Sequence, residues 1–503
     1  MIGRKSLLIV LSRATSAILG FLGLFLITRY FSESAYGQIA YTMSVVGIFF
    51  AFADLGFSTA HIKRINDGRD PGECLTSFLV IKLALAVAAG ALALLAIWIY
   101  SMILGRPLSD ISIELMLIFV LYFLFFHISN VATATFDAFQ QTAKTQITLI
   151  MEMAVRVPLI VILAIPTRDT LVLAMCYMMG GMTVLLVSVF LLWRQGIALK
   201  KPNLVRSYAE FAAPLAVAVV IGVVYGNIDR VSIGFFWSST EVAIYSAAQA
   251  IMNMLFVFGS ALSTLLFPTF SRMHSDGDSS GTREIIERGE RYLLYVLTPI
   301  VCVFLVFPSV IAVVLLSEKY AGSAAVMQIL SLNVVALAMV GVYSTHVIAS
   351  NRAKEFVWIS FIQLALLATG LIIFVPTSFL GFPMLGLRAK GAALALLVTT
   401  FIGVIIYRIM IWRNLRLGFN RRILWNIPAA VVAISLLYLF GIVYQPARWY
   451  DVIALWAISS AGFYTTLYLI GDLKKEDVRY FLEVLNPIEM ARYLKSEIKG
   501  KDD

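Results

Sequence analysis

The sequence predicts an all-α integral membrane protein of about fourteen transmembrane helices, on three observations: composition, recurrent apolar runs of spanning length, and the side on which basic residues fall. Hydrophobic residues make up 60% and charged residues 14% of the 503, and the mean hydropathy is +0.90. A soluble domain carries roughly 25% charged residues to cover its surface. The net charge of +10 would raise the question of nucleic acid in a soluble protein. In a membrane protein its meaning depends on where Lys and Arg lie.

Crossing the hydrocarbon core takes about 20 residues of helix, and a helix satisfies its backbone polar groups within itself. The basic start, Met1 to Lys5, leads into an apolar run through Tyr30. That run is too long for a signal-peptide core and is read as an uncleaved first span at 7–30. Spans at 38–60, 75–103, 112–136, 144–165 and 170–193 complete a first group of six. A second group follows at 209–236, 242–267, 291–316, 326–349, 356–375 and 389–412, then a final pair at 423–443 and 450–470. The tail mixes charge with Val478, Phe481, Leu482, Leu485, Leu494 and Ile498, is interrupted by Pro487, and is expected to lie on the cytoplasmic interface as an amphipathic helix.

With the first helix starting in the cytoplasm, the basic residues segregate. Arg4, Lys5, Lys63, Arg64, Arg69, Lys144, Arg194, Lys200, Lys201, Arg206, Arg272, Arg283, Arg288, Arg291, Arg352, Lys354, Arg413, Arg416, Arg421 and Arg422 fall inside, with those of the tail. Outside fall Arg106, Arg168, Lys319, Arg388, Lys390 and Arg448, with Arg29 at the boundary. A missed or invented helix would scramble this positive-inside pattern, so both termini are expected in the cytoplasm of a cell-membrane protein. The longest outer loop, 376–388, is too short for a separate domain.

An internal echo appears at an offset of about 207 residues. Phe31-Ser32-Glu33-Ser34-Ala35-Tyr36-Gly37 bridges the first two spans, and Trp237-Ser238-Ser239-Thr240-Glu241-Val242-Ala243 bridges the seventh and eighth. Six helices separate the copies, an even number, so the repeat is parallel and a site is expected between its halves. The expected organisation is an N-terminal lobe at 1–205, a C-terminal lobe at 206–415, two added helices at 416–472 and the cytoplasmic tail at 473–503. The lobes are two pseudo-symmetric six-helix bundles.

Ionisable side chains at membrane depth are costly and mark sites when depth and partners allow. Arg13, Lys82 and Arg408 lie within about two turns of the cytoplasmic helix ends, where basic side chains can snorkel. Arg156 is about twelve residues into the fifth span, ~18 Å at 1.5 Å per residue, near the midplane. Glu152 stands one turn earlier, so an i,i+4 ion pair and a substrate contact are both open to Arg156, and Pro158 is expected to kink the helix beside it. Asn227, Asp229 and Arg230 cluster on the seventh span, where neighbours point about 100° apart and cannot simply neutralise each other. Asp54 is expected to pair with Arg13 or Arg64. His127, Asn130, Gln249, Asn253, Asn333 and Gln363 are expected to make interhelical hydrogen bonds.

The sequence has no phosphate-binding Gly-x-x-x-x-Gly-Lys-Ser/Thr loop, no His-Glu-x-x-His and no hydrolase elbow, the motifs that would mark ATP, zinc or acyl chemistry. Cys74, Cys176 and Cys302 are scattered at no metal-ligand spacing. No metal, cofactor or nucleic acid is expected, and the chain reads as a transporter, not an enzyme.

Short pieces in order along the chain resemble the polysaccharide or oligosaccharide flippases of the Wzx type, in the MOP superfamily that also holds the lipid II flippase and the MATE exporters. They are Tyr36-Gly37; Asp54-Leu55-Gly56-Phe57 with Arg64; Asn227-Ile228-Asp229-Arg230 with Ile244-Tyr245-Ser246-Ala247; Leu266-Phe267-Pro268-Thr269-Phe270-Ser271-Arg272; Tyr320-Ala321; Ala349-Ser350-Asn351-Arg352; and Gly391-Ala392-Ala393. The family pattern of Tyr-Gly in both halves becomes Ala243-Ile244-Tyr245 in the second. The resemblance implies alternating access between two lobes, with membrane lipids as surroundings. The implied cargo is an isoprenoid-pyrophosphate-linked oligosaccharide, moved from the cytoplasmic to the outer leaflet beside polysaccharide polymerase or glycosyltransferase machinery. Arg13, Lys82, Arg156 and Arg230 are the cations expected to meet the pyrophosphate, with Asp54, Glu152 and Asp229 as ion-pair or coupling carboxylates. A cation-coupled multidrug exporter and a membrane glycan polymerase or ligase are the alternatives. The first would favour carboxylates in the lobes, and the second a large outer catalytic loop.

Overall fold

The computed structural model describes residues 2–104, 113–418 and 420–473; the expected tail beyond 473 lies outside them. The described chain is nearly all helix: α1 (Ile2–Tyr30), α2 (Glu33–Phe50), α3 (Phe57–Asn66), α4 (Pro71–Leu104), α5 (Ile113–Ala138), α6 (Thr142–Leu159), α7 (Ile165–Thr167), α8 (Thr170–Trp193), α9 (Val205–Tyr225), α10 (Ile228–Phe236), α11 (Ser239–Ser275), α12 (Ser279–Val306), α13 (Pro308–Leu315), α14 (Ser323–Ala349), α15 (Ala353–Phe374), α16 (Arg388–Leu415), α17 (Asn426–Val443) and α18 (Trp449–Ile470). A two-strand hairpin, β1 (Ser378–Phe379) and β2 (Phe382–Pro383), joins α15 to α16. Among the described residues, twelve helical segments are long and apolar enough to cross a membrane. Two further helices fall on the remaining expected spans: α1, whose apolar stretch is Ala14–Tyr30, and α11.

Side-chain caps start several helices. Ser32 accepts from Ala35 N at the head of α2, Asp169 from Leu171 N at α8 and Asp278 from Gly281 N at α12, each satisfying an orphan N–H. One boundary departs from the sequence reading. The ninth span was expected from 291, but α12 begins at Ser279. The charged stretch before 291 is an amphipathic helix: Thr282, Ile286, Gly289 and Leu293 recur at helical spacing and are buried.

The chain divides into two compact units, one built from residues 11–250 and 357–399, the other from the rest of the described chain. In the first unit Ala60, Leu75, Phe78, Val131, Ala134 and Tyr208 form a core shared by α3, α4, α5 and α9. His61 is buried in it and fully bonded, with Nδ1 2.9 Å from the Tyr208 hydroxyl and Nε2 2.9 Å from Thr135 Oγ1. The Thr135 hydroxyl also donates to the Val131 carbonyl (2.7 Å) and the Tyr208 hydroxyl to the Cys74 carbonyl (3.3 Å), so the imidazole is part of a chain of hydrogen bonds joining α3, α4, α5 and α9. The echoed corners meet in this unit. Ser34 Oγ lies 3.1 Å from Ser239 Oγ, and Gly37 packs so closely on Ser239 that a Cβ there would sit 1.7 Å from its carbonyl oxygen.

In the second unit α12 packs on α14, α17 and α18. Buried Glu290 accepts from the Tyr343 hydroxyl (2.6 Å) and from Arg408. Buried Tyr295 donates to the Asp472 carboxylate (2.7 Å), which follows the left-handed Gly471 cap of α18.

Candidate functional site

Three charged centres lie in the first unit, each beside an interruption of its helix. Asp54 sits in the break between α2 and α3, where Leu55 and Gly56 both adopt left-handed φ. Gly56 is required there twice over, since its φ is +86° and a Cβ would reach 2.8 Å from Leu215. Arg156 precedes Pro158, and beyond Leu159 the helix continues as a π turn over Ile160–Ala164. Proline has no N–H to give the preceding turn, and downstream the Ile165 N–H bonds the Ile160 carbonyl, five residues back. Asp229 and Arg230 open α10 immediately after α9 ends at Tyr225. Broken helices and π turns of this kind line functional sites in transporters.

At the first centre the Lys82 ammonium donates to the Asp54 carboxylate, which also accepts from Ser58. Ser58 Oγ is in turn 2.5 Å from the Asn130 amide. The Lys82 side chain is only 1% exposed. Two expectations are corrected here. Lys82 does not snorkel: its ammonium is buried against the Asp54 carboxylate, whose attraction offsets part of the desolvation cost. Asp54 pairs with Lys82, not with Arg64, whose guanidinium bonds the Ser207 carbonyl (3.0 Å) and Asp67 (3.4 Å). The side chain of Arg13 lies outside the described residues. Arg408, also expected to snorkel, instead donates to Glu290 and to the Gly418 carbonyl.

At the second centre Arg156 Nη1 lies 3.0 Å from Glu152 Oε1. The contact is an ion pair without hydrogen-bond alignment, since Glu152 Oε1 has no hydrogen-bond partner. The guanidinium stacks on the Tyr177 ring, 4.3 Å from its centroid, a cation–π arrangement. Tyr122 and Tyr36 stand within electrostatic reach of it. Gly180 of α8 makes the close approach possible, because a Cβ there would come 3.2 Å from Glu152 Oε1 and 3.3 Å from Arg156 Cβ. The centre is fourteen residues into the Thr142–Thr167 span, ~21 Å at 1.5 Å per residue.

At the third centre Arg230 Nε lies 3.9 Å from Asp229 Oδ1, an ion pair between neighbours whose side-chain hydrogen bonds go to other groups. Asp229 accepts from the Tyr245 hydroxyl (2.7 Å) and Gln249 Nε2 (3.0 Å). Arg230 donates from Nε to Gln249 (3.0 Å), from Nη1 to Ser44 (3.3 Å) and from Nη2 to the Gly226 carbonyl (3.1 Å). Gln249 and Asn130 therefore bond across helices as their residue type suggested. Asn333, in the other unit, has a buried side-chain oxygen without a hydrogen-bond partner.

The cations thus differ in what they have left to offer. Lys82 is sealed into its pair, and Arg230 spends each of its three nitrogens on the protein. Arg156 is 13% exposed and, among the described residues, no group accepts a hydrogen bond from it. An anion with flanking hydroxyls fits such a fork set among tyrosines. Tyr36 stood out in the sequence only as part of Tyr36-Gly37, and Tyr122 and Tyr177 did not stand out at all; the three come from separate helices with no shared spacing. Glu290 was missed because its helix reads as a charged loop. Among the described residues, no three His, Cys, Asp or Glu side chains are grouped to hold a metal ion.

A family model described as polysaccharide biosynthesis protein matches residues 2–274. The chain is 24% identical over 324 residues to the probable low-salt glycan biosynthesis flippase Agl15 of Haloferax volcanii, and spans 64% of that relative's length with 64% of its own. The lipid II flippase MurJ in an inward closed conformation matches with a TM-score of 0.75 at 13% identity, over 93% of this chain and 98% of that one. An inward-facing multidrug resistance MATE family transporter of the MOP superfamily matches with a TM-score of 0.63 at 14% identity, over 81% and 99%. The architecture is therefore a MurJ- and MATE-like fold.

Proposed function

This chain belongs to the polysaccharide biosynthesis protein family, and from that premise we propose that it is a flippase for an isoprenoid-pyrophosphate-linked oligosaccharide. It carries this cargo from the cytoplasmic to the outer leaflet of the cell membrane by alternating access. Fourteen spans with both termini in the cytoplasm accord with the loop charges, and the N-terminal and C-terminal lobes at 1–205 and 206–415 are the halves that alternate. The observation that carries the reading is Arg156: a cation at mid-span, paired to Glu152 yet with its donors unspent, beside Tyr177. A pyrophosphate entering a partly dehydrated site needs such a donor fork, and sugar hydroxyls suit tyrosine faces and hydroxyls. Arg230 is the second contact, reached when cargo displaces its bonds to Ser44 and Gln249. Lys82, Asp54 and Asp229 hold the helix breaks in register.

The test is reconstitution in liposomes with a lipid-linked oligosaccharide whose sugar is accessible to an external lectin or glycosidase only after crossing. Protein-dependent appearance of the sugar on the far side is expected. Absence of translocation for every lipid-linked glycan tried, with proton-driven efflux of a cationic dye instead, would replace this reading with that of a multidrug exporter.

A further inference from the structure

From 376 to 387 the chain between α15 and α16 contains no charged residue, yet it is folded, not loose. Phe379 pairs with Phe382 across β1 and β2. The two turn residues, Leu380 and Gly381, have φ of 49° and 85°, as in the turns that match strand twist in hairpins. The base is anchored. The Trp237 indole N–H donates to the Val375 carbonyl (2.8 Å). Arg388 lies over the Trp237 ring at 4.5 Å and pairs with Glu241 at 3.2 Å. The tip is bare: Leu380 is 83% exposed, Phe382 68% and Leu385 57%.

We propose that this hairpin is a lipid-binding element whose apolar tip inserts into the bilayer leaflet at this end of α15 and α16. A rigid apolar tip in water would be an aggregation liability, and the polar side chains of this segment, Thr377 and Ser378, lie on one side of the turn only, where a protein-docking surface ordinarily carries a polar rim all round. The tip instead continues the exposed apolar surface of the neighbouring helices, where Ile373 of α15 and Phe235 of α10 also face outward. Trp237 and Arg388 at the base are the residue types that mark the headgroup level. Backbone groups in a turn cannot be satisfied in hydrocarbon, so the main chain stays at headgroup level while Leu380 and Phe382 reach the acyl boundary, as amphipathic anchors do. The element acts independently of which cargo the protein carries.

All three cysteines, Cys74, Cys176 and Cys302, are buried, so Leu380→Cys in the full chain can be labelled selectively with an environment-sensitive nitrobenzoxadiazole probe. Phe382→Cys serves as a second site and exposed Lys201→Cys as a water-facing reference. After reconstitution in vesicles containing brominated phosphatidylcholine, both tip labels are expected to emit at shorter wavelength than the reference. They should be quenched by the bromines and resist aqueous iodide. Iodide quenching of both tip labels equal to the reference, without quenching by brominated lipid, would overturn the proposal and make the hairpin a water-facing surface for a protein partner.

Discussion

Arg156 and Glu152 stand one turn apart on α6 with Nη1 3.0 Å from Oε1, in Coulombic contact but not hydrogen-bonded. The distinction matters because the two halves of an arginine's value come apart. Glu152 supplies the counter-charge that lets a guanidinium rest at membrane depth, while the directional donors remain unspent. An ion pair aligned for hydrogen bonding would have committed up to two of the five N–H donors and left fewer for a ligand.

Arg156→Ala and Arg156→Lys are both expected to impair translocation of a lipid-linked glycan. Lysine keeps the charge but not the planar fork, and a hydrogen bond to a charged group is worth roughly 1.5–3 kcal/mol. The expected loss is therefore about 10- to 100-fold in apparent cargo affinity, read from initial rates against cargo concentration. Full activity in Arg156→Lys would reduce the residue to a counter-ion for Glu152.

Glu152→Gln separates the same two roles from the other side. It keeps shape but removes the counter-charge, whose attraction at 4 Å lies roughly between 1 and 4 kcal/mol. The empty protein is expected to melt at lower temperature. Anionic cargo should then restore more stability than it adds to the wild type, because binding supplies the missing charge. Thermal unfolding in detergent with and without lipid-linked pyrophosphate reads both effects. Equal cargo-induced shifts in the two proteins would mean that Glu152 does not modulate the site.

Lys82 and Asp54 are expected to behave as structure. Removing one member of a buried pair strands the other and costs roughly 3–5 kcal/mol, whereas replacing both with uncharged residues of similar size is often nearly neutral. Lys82→Met should destabilise strongly, and Lys82→Met with Asp54→Asn should recover most of the loss and retain translocation. A double variant that is stable but inactive would return Lys82 or Asp54 to the transport step.

The helices were legible in the sequence because the bilayer imposes one period and one length, and loop charge keeps the count honest. The partners were not. Asp54 was expected to pair with Arg13 or Arg64, since sequence distance and helix end suggest neighbours on the same side. Its actual partner, Lys82, comes from the lateral packing of α4, which hydropathy does not encode. Glu290 was hidden for a related reason: the amphipathic start of α12 lowers window hydropathy below that of a span, and only the spacing of Thr282, Ile286, Gly289 and Leu293 betrays the buried face. Arg156 was visible because depth can be counted along one helix. The tyrosines around it converge only in three dimensions.

The meeting of the echoed corners gives a sharper test of packing than any core residue. Gly37 opposes the Ser239 backbone, and a Cβ there would lie 1.7 Å from the carbonyl oxygen and 2.4 Å from the carbonyl carbon. Neither atom belongs to a side chain that can swing away, so Gly37→Ala must move α2 against the start of α11 and lengthen the Ser34–Ser239 contact. Overpacking typically costs about 1–3 kcal/mol where neighbours can adjust, and here the cost should reach or exceed the top of that range. Gly222→Ala is the matched control. It lies within α9 with nothing within 4 Å of the added carbon, and losing a helix glycine should stabilise by roughly 0.5–1 kcal/mol. Thermal unfolding monitored by size-exclusion chromatography is expected to show a large drop for Gly37→Ala and none for Gly222→Ala. Equal melting of the two would show that the corners can separate without loss, and that the contact between them is not what holds this end of the unit together.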